Sequence, residues 1–268
     1  MPNILFTDMD GTLLNDKATI SDYTRKVLYD MTATGHKLVL SSGRALPNII
    51  KTKNELGLNM PGVYISASNG TLIYECDTQK TIFESRLSME DLKNVWPMAA
   101  SQNIHLQTYS DNELLVRHRD KECDFYMIKC PLPLIETETP WDHLTKPPVK
   151  MLAIDLENKQ KLETFGNLVS EKYPHITTVF SSEFYLEFFS CKAGKGNSLI
   201  WLCNYLNIPI ENSHAAGDAG NDLSMLQAAG NSLAMCNGDP MLFEFADKIS
   251  EFNNNSDGLA QYIVNNII

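Results

Sequence analysis

Short apolar runs alternate with amphipathic stretches at the start of the chain. The runs, typical of strands buried on both faces, are residues 3–7, 36–42 and 62–67. The stretches between them have helical periodicity and end at glycines; they are residues 20–35, which begin with a cap at Ser21, and residues 44–57. This β-α-β-α-β order predicts a parallel, doubly wound α/β sheet.

The pattern changes in the middle of the chain. Strands with polar turns are predicted at residues 71–85, 104–118 (with 110–113 as the turn), 149–157 and 176–190, and helices at 88–103 and 159–173. A proline-containing stretch from Pro131 to Pro148 is predicted to be irregular. Antiparallel strands interspersed with helices indicate an α+β arrangement, unlike the opening section.

The last part of the chain again alternates predicted helices and strands, as the first part does. Helices are predicted at residues 194–207, 221–230, 240–246 and 256–268, and strands at 213–218, 231–238 and 247–250. We therefore predict a doubly wound core, residues 1–82 and 189–268, with an inserted α+β cap domain at residues 83–188. In such sheets ligands bind at the carboxyl ends of the strands.

Composition narrows the possible partners and compartments. A hydrophobic fraction of 43% in 268 residues supports a real core, and a net charge of −11 disfavours nucleic acid as a partner. Six cysteines form no CxxC pair, which is typical of a reducing compartment. The first ten residues do not resemble a signal peptide, and no window has the length of a membrane span. We expect a cytoplasmic protein without a membrane partner.

Two carboxylates, Asp8 and Asp10, follow the first predicted strand. A calcium loop is excluded because Gly11 stands fourth and Thr19 twelfth, where that pattern needs Gly sixth and Glu twelfth. A turn-forming role remains open for a single Asp. Further acids in "GDAGND", Asp218 and Asp222, favour a metal-assisted site. Hard carboxylate oxygens at several strand ends suit Mg²⁺.

Phosphate chemistry needs donors and cations beside such a metal. "SSGR" offers Ser42, backbone amides and Arg44 at a strand-to-helix turn, and helix N-termini bind anions. Lys195 begins another predicted helix but lies outside a P-loop, because Phe189 stands where that motif needs Gly. Taken alone, Ser42 is interpreted as a helix cap and Lys195 as a solvated lysine. None of the six histidines has a metal-ligand spacing, so none is assigned a role.

Together these residues resemble the haloacid dehalogenase superfamily of phosphohydrolases. Its four motifs stand in order as "DMDGTL", "SSGR", Lys195 before Gly196, and "GDAGND". The large segment between the second and third motifs is similar to the Cof-type group, whose members carry an α+β cap there. Two positions depart from the group's usual pattern: Ser42 replaces a common Thr, and Gly220 a common polar or acidic residue.

The resemblance implies a role for each motif residue. Asp8 would attack phosphorus and form an aspartyl-phosphate, and Asp10 would act as acid and then base. The implied Mg²⁺ set is Asp8, Asp10 (through its main-chain oxygen), Asp218 and Asp222. The implied phosphate and substrate set is Ser42, the Gly43 amide, Arg44, Lys195 and Asn221. Asp222 would also position Lys195.

We expect a Mg²⁺-dependent phosphatase for small phosphorylated metabolites, most plausibly sugar phosphates. A hexose-phosphate phosphomutase would share all four motifs, and a non-catalytic phosphate sensor could use the same fold. Asn69-Gly70 is interpreted as a tight turn, although the resemblance implies that it borders the site.

Overall fold

The computed structural model describes residues 2–110 and 112–268, with only the backbone of Lys129. The chain forms two compact units. The first comprises Met1–Glu84 and Ala193–Ile268, and the second comprises Ser85–Lys192. Among the described residues, no helix combines the length and apolar character needed to cross a bilayer.

The first unit is built on an eight-stranded sheet with β1 inside it. Its strands are β1 (Ile4–Asp8), β2 (Lys37–Ser41), β3 (Val63–Ala67), β4 (Leu72–Glu75), β5 (Lys80–Glu84), β12 (Ser213–Gly217), β13 (Asn231–Ala234) and β14 (Lys248–Ile249). Their spatial order is β14-β13-β12-β1-β2-β3-β4-β5. The first six in this order pair in parallel, while β4 pairs antiparallel with β3 and β5. The predicted doubly wound α/β core is confirmed.

Helices cover both faces of this sheet. They are α1 (Asp22–Ala33), α2 (Leu46–Glu55), α6 (Lys195–Leu206), α7 (Leu223–Ala228) and α8 (Gly258–Asn266). Successive strand residues point to opposite faces. Leu5 therefore lies in the core cluster with α1, α2 and α8, whereas Ile4 and Phe6 lie in the cluster with α6 and α7. Burial on both sides explains why three successive residues of β1, Ile4 to Phe6, are apolar.

The second unit contains a six-stranded sheet and three helices. Its elements are α3 (Met89–Ser101), β6 (His105–Tyr109), β7 (Leu114–Val116), α4 (Lys121–Lys129), β8 (Leu134–Glu136), β9 (Met151–Ile154), α5 (Lys159–Lys172), β10 (Ile176–Ser182) and β11 (Tyr185–Ser190). The strand order is β10-β11-β9-β6-β7-β8, and all pairs are antiparallel except β7 with β8. One apolar face packs against α3 and α5, and the other against α4.

Several elements differ from the sequence predictions. The stretch from Pro131 to Pro148 contains β8 and a short 3₁₀ turn, Pro140–His143, because β8 finds a partner in β7. Helix α4 was not predicted; the Asp120 side chain caps it by accepting from the Cys123 amide. The helix predicted at residues 240–246 is instead a 3₁₀ turn, Pro240–Glu244. Asp111, in the predicted turn 110–113, lies outside the described residues.

Candidate active site

Four chain segments meet at one edge of the core sheet. Asp8 ends β1, Ser42 follows β2, and Asp218 follows β12. Parallel strands end at the same edge, so these side chains come together although up to 210 positions separate them. Lys195, the first residue of α6, brings its ammonium group to the same place.

The Lys195 ammonium lies between two carboxylates. Its Nζ donates to Asp8 Oδ1 and to Asp222 Oδ1, both at 2.5 Å, and the Lys195 and Asp222 side chains are fully buried. Burial lowers the pKa of Lys195, but Asp222 and Asp8 raise it more, so its pKa lies above the ordinary value. Lys195 is therefore a permanently charged member of the site, and the interpretation as a solvated lysine is wrong.

Asp222 is fixed on both of its oxygens. While Oδ1 accepts from Lys195, Oδ2 accepts from the backbone amides of Asp218 and Ala219, each at 3.1 Å. The absence of a side chain at Gly217 makes this possible, because a Cβ there would lie 2.6 Å from Asp222 Cγ. Asp222 thus holds Lys195 and the loop that carries Asp218 in one geometry.

Asp8, Asp218 and Asp222 form a compact acidic cluster. One oxygen from each lies within 4.8 Å of the others. Burial and the neighbouring carboxylates raise the pKa of Asp218 to about 6, and burial also raises the pKa of Asp8 well above its usual range, against the effect of Lys195. A single ammonium balances only one of three carboxylates, so a hard divalent cation fits this donor set.

The turn after Asp10 supports Asp218. Thr12 donates its hydroxyl to Asp218 Oδ1 at 2.7 Å. Gly11 has a φ of 82°, and a Cβ at this position would lie 2.8 Å from Asp218 Cγ. The Gly-Thr pair of "DMDGTL" therefore brings the first motif into direct contact with the fourth.

Asp10 occupies a different environment from Asp8. Its side chain is 58% exposed and forms an ion pair with Arg44. The Asp10 carboxylate is outside the acidic cluster. Asp10 is thus a solvent-accessible acid held by Arg44, and metal ligation through its main-chain oxygen stays a prediction.

The segment after β2, residues 42–44, lies at the same edge of the sheet. Ser42 is buried; its amide donates to Ser66 O, and its hydroxyl accepts from the Arg44 amide at 3.2 Å. Ala45, not Ser42, is the N-cap of α2, so the interpretation of Ser42 as a helix cap is wrong. Gly43 lies between these two residues and is half-buried.

The structure adds residues that sequence reasoning missed. Thr12 could have been found, since it belongs to the first motif. Asn237, in the exposed loop after β13, donates to Gly11 O at 2.8 Å and carries no local signal. Asn221, assigned to substrate binding, donates to Asn69 Oδ1 at 3.1 Å. The turn containing Asn69 therefore contacts the site through Asn221.

Comparisons with known proteins identify the family of this chain. A family model described as haloacid dehalogenase-like hydrolase matches residues 5–263. The putative phosphatase YxeH of Bacillus subtilis is 32% identical over 98% of this chain and 97% of its own. Another B. subtilis relative, 26% identical over 96% and 95% of the two chains, is named 5-amino-6-(5-phospho-D-ribitylamino)uracil phosphatase YwtE.

A solved structure extends the agreement to the whole fold. The crystal structure of a haloacid dehalogenase-like hydrolase from Bacteroides thetaiotaomicron is 28% identical, covers 99% of both chains and superposes with a TM-score of 0.86. The match over nearly the full length includes the strand ends that carry Asp8 and Asp218. The chain belongs to the haloacid dehalogenase-like hydrolase family.

Proposed function

We propose that this protein is a Mg²⁺-dependent phosphatase that hydrolyses phosphate monoesters of small metabolites, with sugar phosphates as the main class. The observation that carries the proposal is the arrangement of Asp8. This buried carboxylate is held at 2.5 Å by Lys195, beside Asp218, at the carboxyl end of a central strand. A nucleophile, a fixed cation and a metal-binding acid therefore lie together.

The proposed reaction has two steps. Asp8 attacks phosphorus, the bond from phosphorus to the ester oxygen breaks, and Asp10 donates a proton to the departing oxygen. Water then attacks the aspartyl-phosphate, Asp10 accepts its proton, and inorganic phosphate and free Asp8 result. The exposure of Asp10 supports this role, because an acid that serves a leaving group and then water needs access to both.

The remaining site residues would bind the phosphoryl group, the substrate or the metal. Lys195, the Ser42 hydroxyl and the Gly43 amide would bind the phosphoryl oxygens as charge shifts onto them in the transition state. Arg44 and Asn221 would contact the substrate. Mg²⁺, when bound by Asp8 and Asp218, would offset the repulsion between the anionic nucleophile and the anionic phosphate.

Asp222 is better suited to positioning than to metal binding. Both of its oxygens already accept hydrogen bonds, from Lys195 and from two backbone amides. We therefore assign Asp222 to holding Lys195 and the Asp218 loop, and the metal to Asp8 and Asp218.

The residues assigned so far do not determine which phosphate ester is the substrate. The groups assigned to the reaction itself address the metal, the phosphoryl group or the ester oxygen, and the last two are present in every phosphomonoester. We propose that the inserted domain, residues 83–188, selects the leaving group. The YwtE relative, whose name specifies a phosphorylated ribityl compound, supports a small polyol or sugar phosphate as the substrate.

A panel of phosphate esters tests the proposal. Purified protein with Mg²⁺ should release inorganic phosphate from sugar phosphates, with weaker release from nucleotides and pyridoxal phosphate. Isomerised sugar phosphate without free phosphate would establish a phosphomutase instead. Zero turnover across the panel, with retained phosphate binding, would establish a sensor and overturn the proposal.

A further inference from the structure

The 3₁₀ turn Ser68–Gly70 contacts three of the segments that build the site. The amides of Ser68 and Asn69 donate to Arg44 O and Ser42 O, each at 2.9 Å. Gly70 packs so closely on the segment before Lys195 that an added Cβ would lie 2.6 Å from the carbonyl carbon of Gly194. The Asn69 side chain accepts from Asn221. One turn therefore joins the phosphate-binding segment, the Lys195 helix and the Asp218 loop.

The backbone of this turn is strained. Ser68, Asn69 and Gly70 have φ values of 49°, 56° and 83°, so three successive residues have positive φ. Such a conformation is unfavourable for each non-glycine residue, and it is concentrated at functional sites. Glycine at position 69 would relieve its share of the strain and would still form the turn.

The Asn69 side chain also destabilises the fold, because it buries an unpaired polar group. The residue is 2% exposed, and its Nδ2 finds no hydrogen-bond acceptor among the described residues. An unpaired buried donor destabilises the folded state, because it loses its hydrogen bonds to water without gaining others. The backbone conformation and the stability of the fold would therefore both favour glycine at position 69. The presence of asparagine indicates that its side chain has another role. Among the described residues, the one hydrogen bond of this side chain is the one that its Oδ1 accepts from Asn221.

We infer that Asn69 is a positioning residue, which couples the Ser42–Arg44 segment to the Asp218–Asp222 loop through its backbone amide and its side-chain oxygen. Asn69 does not touch the reacting atoms; it holds the phosphate donors at a fixed distance from the metal-binding acid. As far as turnover is concerned, this inference rests on the proposed phosphatase function.

Two substitutions separate this role from that of a simple turn. Asn69→Gly removes the side chain and keeps the left-handed backbone, whereas Asn69→Ala removes the side chain and adds backbone strain. We expect kcat/KM for a small aryl phosphate to fall about 10-fold in both, as is typical when a residue that supports a site is lost. The melting temperature should be lower for Asn69→Ala than for Asn69→Gly. If Asn69 only forms the turn, Asn69→Gly keeps the wild-type kcat/KM, and that result would overturn the inference.

A matched control lies in the same unit. Asn207 is the exposed C-cap of α6 and has nearly the same backbone conformation, with φ 54° and ψ 39° against 56° and 38° for Asn69. Asn207→Gly makes the same chemical change at the same dihedral angles, and it should leave kcat/KM unchanged. The double variant Asn69→Gly/Asn221→Ala should lose no more activity than the more impaired single variant, because both changes remove one shared bond. Fully additive losses would contradict the coupling.

Amide hydrogen exchange tests the coupling without any substrate. In Asn69→Gly, residues 218–222 should exchange faster than in wild type and in Asn207→Gly. Unchanged exchange in that loop would overturn the inference even if activity fell. If the wild-type protein turns over no ester, the proposed function fails, and the exchange comparison still decides whether Asn69 links the two loops.

Discussion

Replacing Lys195 with methionine is the most informative single perturbation of the site. Methionine keeps the length of an unbranched side chain but removes the ammonium group that bonds Asp8 and Asp222 at 2.5 Å. Both carboxylates then lose their cationic partner in a buried environment. Removing one partner of a buried ion pair costs about 3–5 kcal/mol.

This cost translates into a large thermal shift. For a domain of this size 1 kcal/mol corresponds to about 2–4 °C, so Lys195→Met should melt on the order of 10 °C below wild type. Turnover should fall by at least about 100-fold, because a buried charge that faces the transferring phosphoryl group is lost. Scanning calorimetry in chelator and phosphate release in Mg²⁺ measure the two effects.

Lys192→Met provides the matched control. Lys192 lies three positions earlier and is exposed, so the same chemical change there should alter stability by less than about 0.5 kcal/mol. If Lys195→Met melted within about 2 °C of Lys192→Met, the claim that Lys195 is the essential counter-charge of the acidic cluster would be refuted.

Four further outcomes are expected. Asp8→Asn should fold with unchanged circular dichroism and lose essentially all turnover; retention of about a tenth of the wild-type rate would rule out its role as nucleophile. Chelation should abolish turnover and Mg²⁺ should restore it, with Ca²⁺ a poor substitute because it prefers looser coordination; full activity in excess chelator would contradict the metal requirement. His214 forms a hydrogen bond with Tyr262, and burial lowers the pKa of His214 to about 4. As the pH falls from 6.5 to 4, this histidine is therefore protonated in the unfolded state but stays neutral in the folded state, so the folded state loses stability. Wild type should therefore lose up to about 3 kcal/mol relative to His214→Gln across that range, and parallel stability curves would show that burial does not perturb this histidine. Exchanging Ser85–Lys192 for the corresponding segment of a relative should change the ratio of kcat/KM values among sugar phosphates while a small aryl phosphate is still hydrolysed. Unchanged ratios in a folded chimera would place selectivity elsewhere.

The parallel core was predictable because its strands are apolar on both faces and its helices have clear ends. Ser21 does cap α1, by accepting from the Thr24 amide, and β1 to β3 lie where the apolar runs predicted. Helix α4 and strand β8 were missed for different reasons. Helix α4 is short and depends on one local cap, whereas β8 is defined by pairing with β7, which no local pattern encodes.

The candidate site was predictable as a set of residues but not as a network. The family resemblance implied roles for Asp8, Lys195 and Asp222, yet the burial of Lys195 depends on two carboxylates from distant segments. Contacts such as Thr12 with Asp218 require the register of β1 against β12. A sequence pattern identifies the chemical groups of the site, whereas their contacts depend on how the strands pair in the folded sheet.

The discontinuity of the first unit has a consequence for synthesis on the ribosome. Strand β1 pairs with β2 on one edge and with β12 on the other, and β12 follows the whole of Ser85–Lys192. At about 5–20 residues per second, that insertion alone takes roughly 5–20 s to translate. During this interval one edge of β1 has no partner from its own sheet, and an unpaired edge of a strand that begins with three apolar residues is a template for pairing with other chains. The nascent chain should therefore be most prone to aggregation, and most dependent on chaperones, between the emergence of Glu84 and that of Gly217.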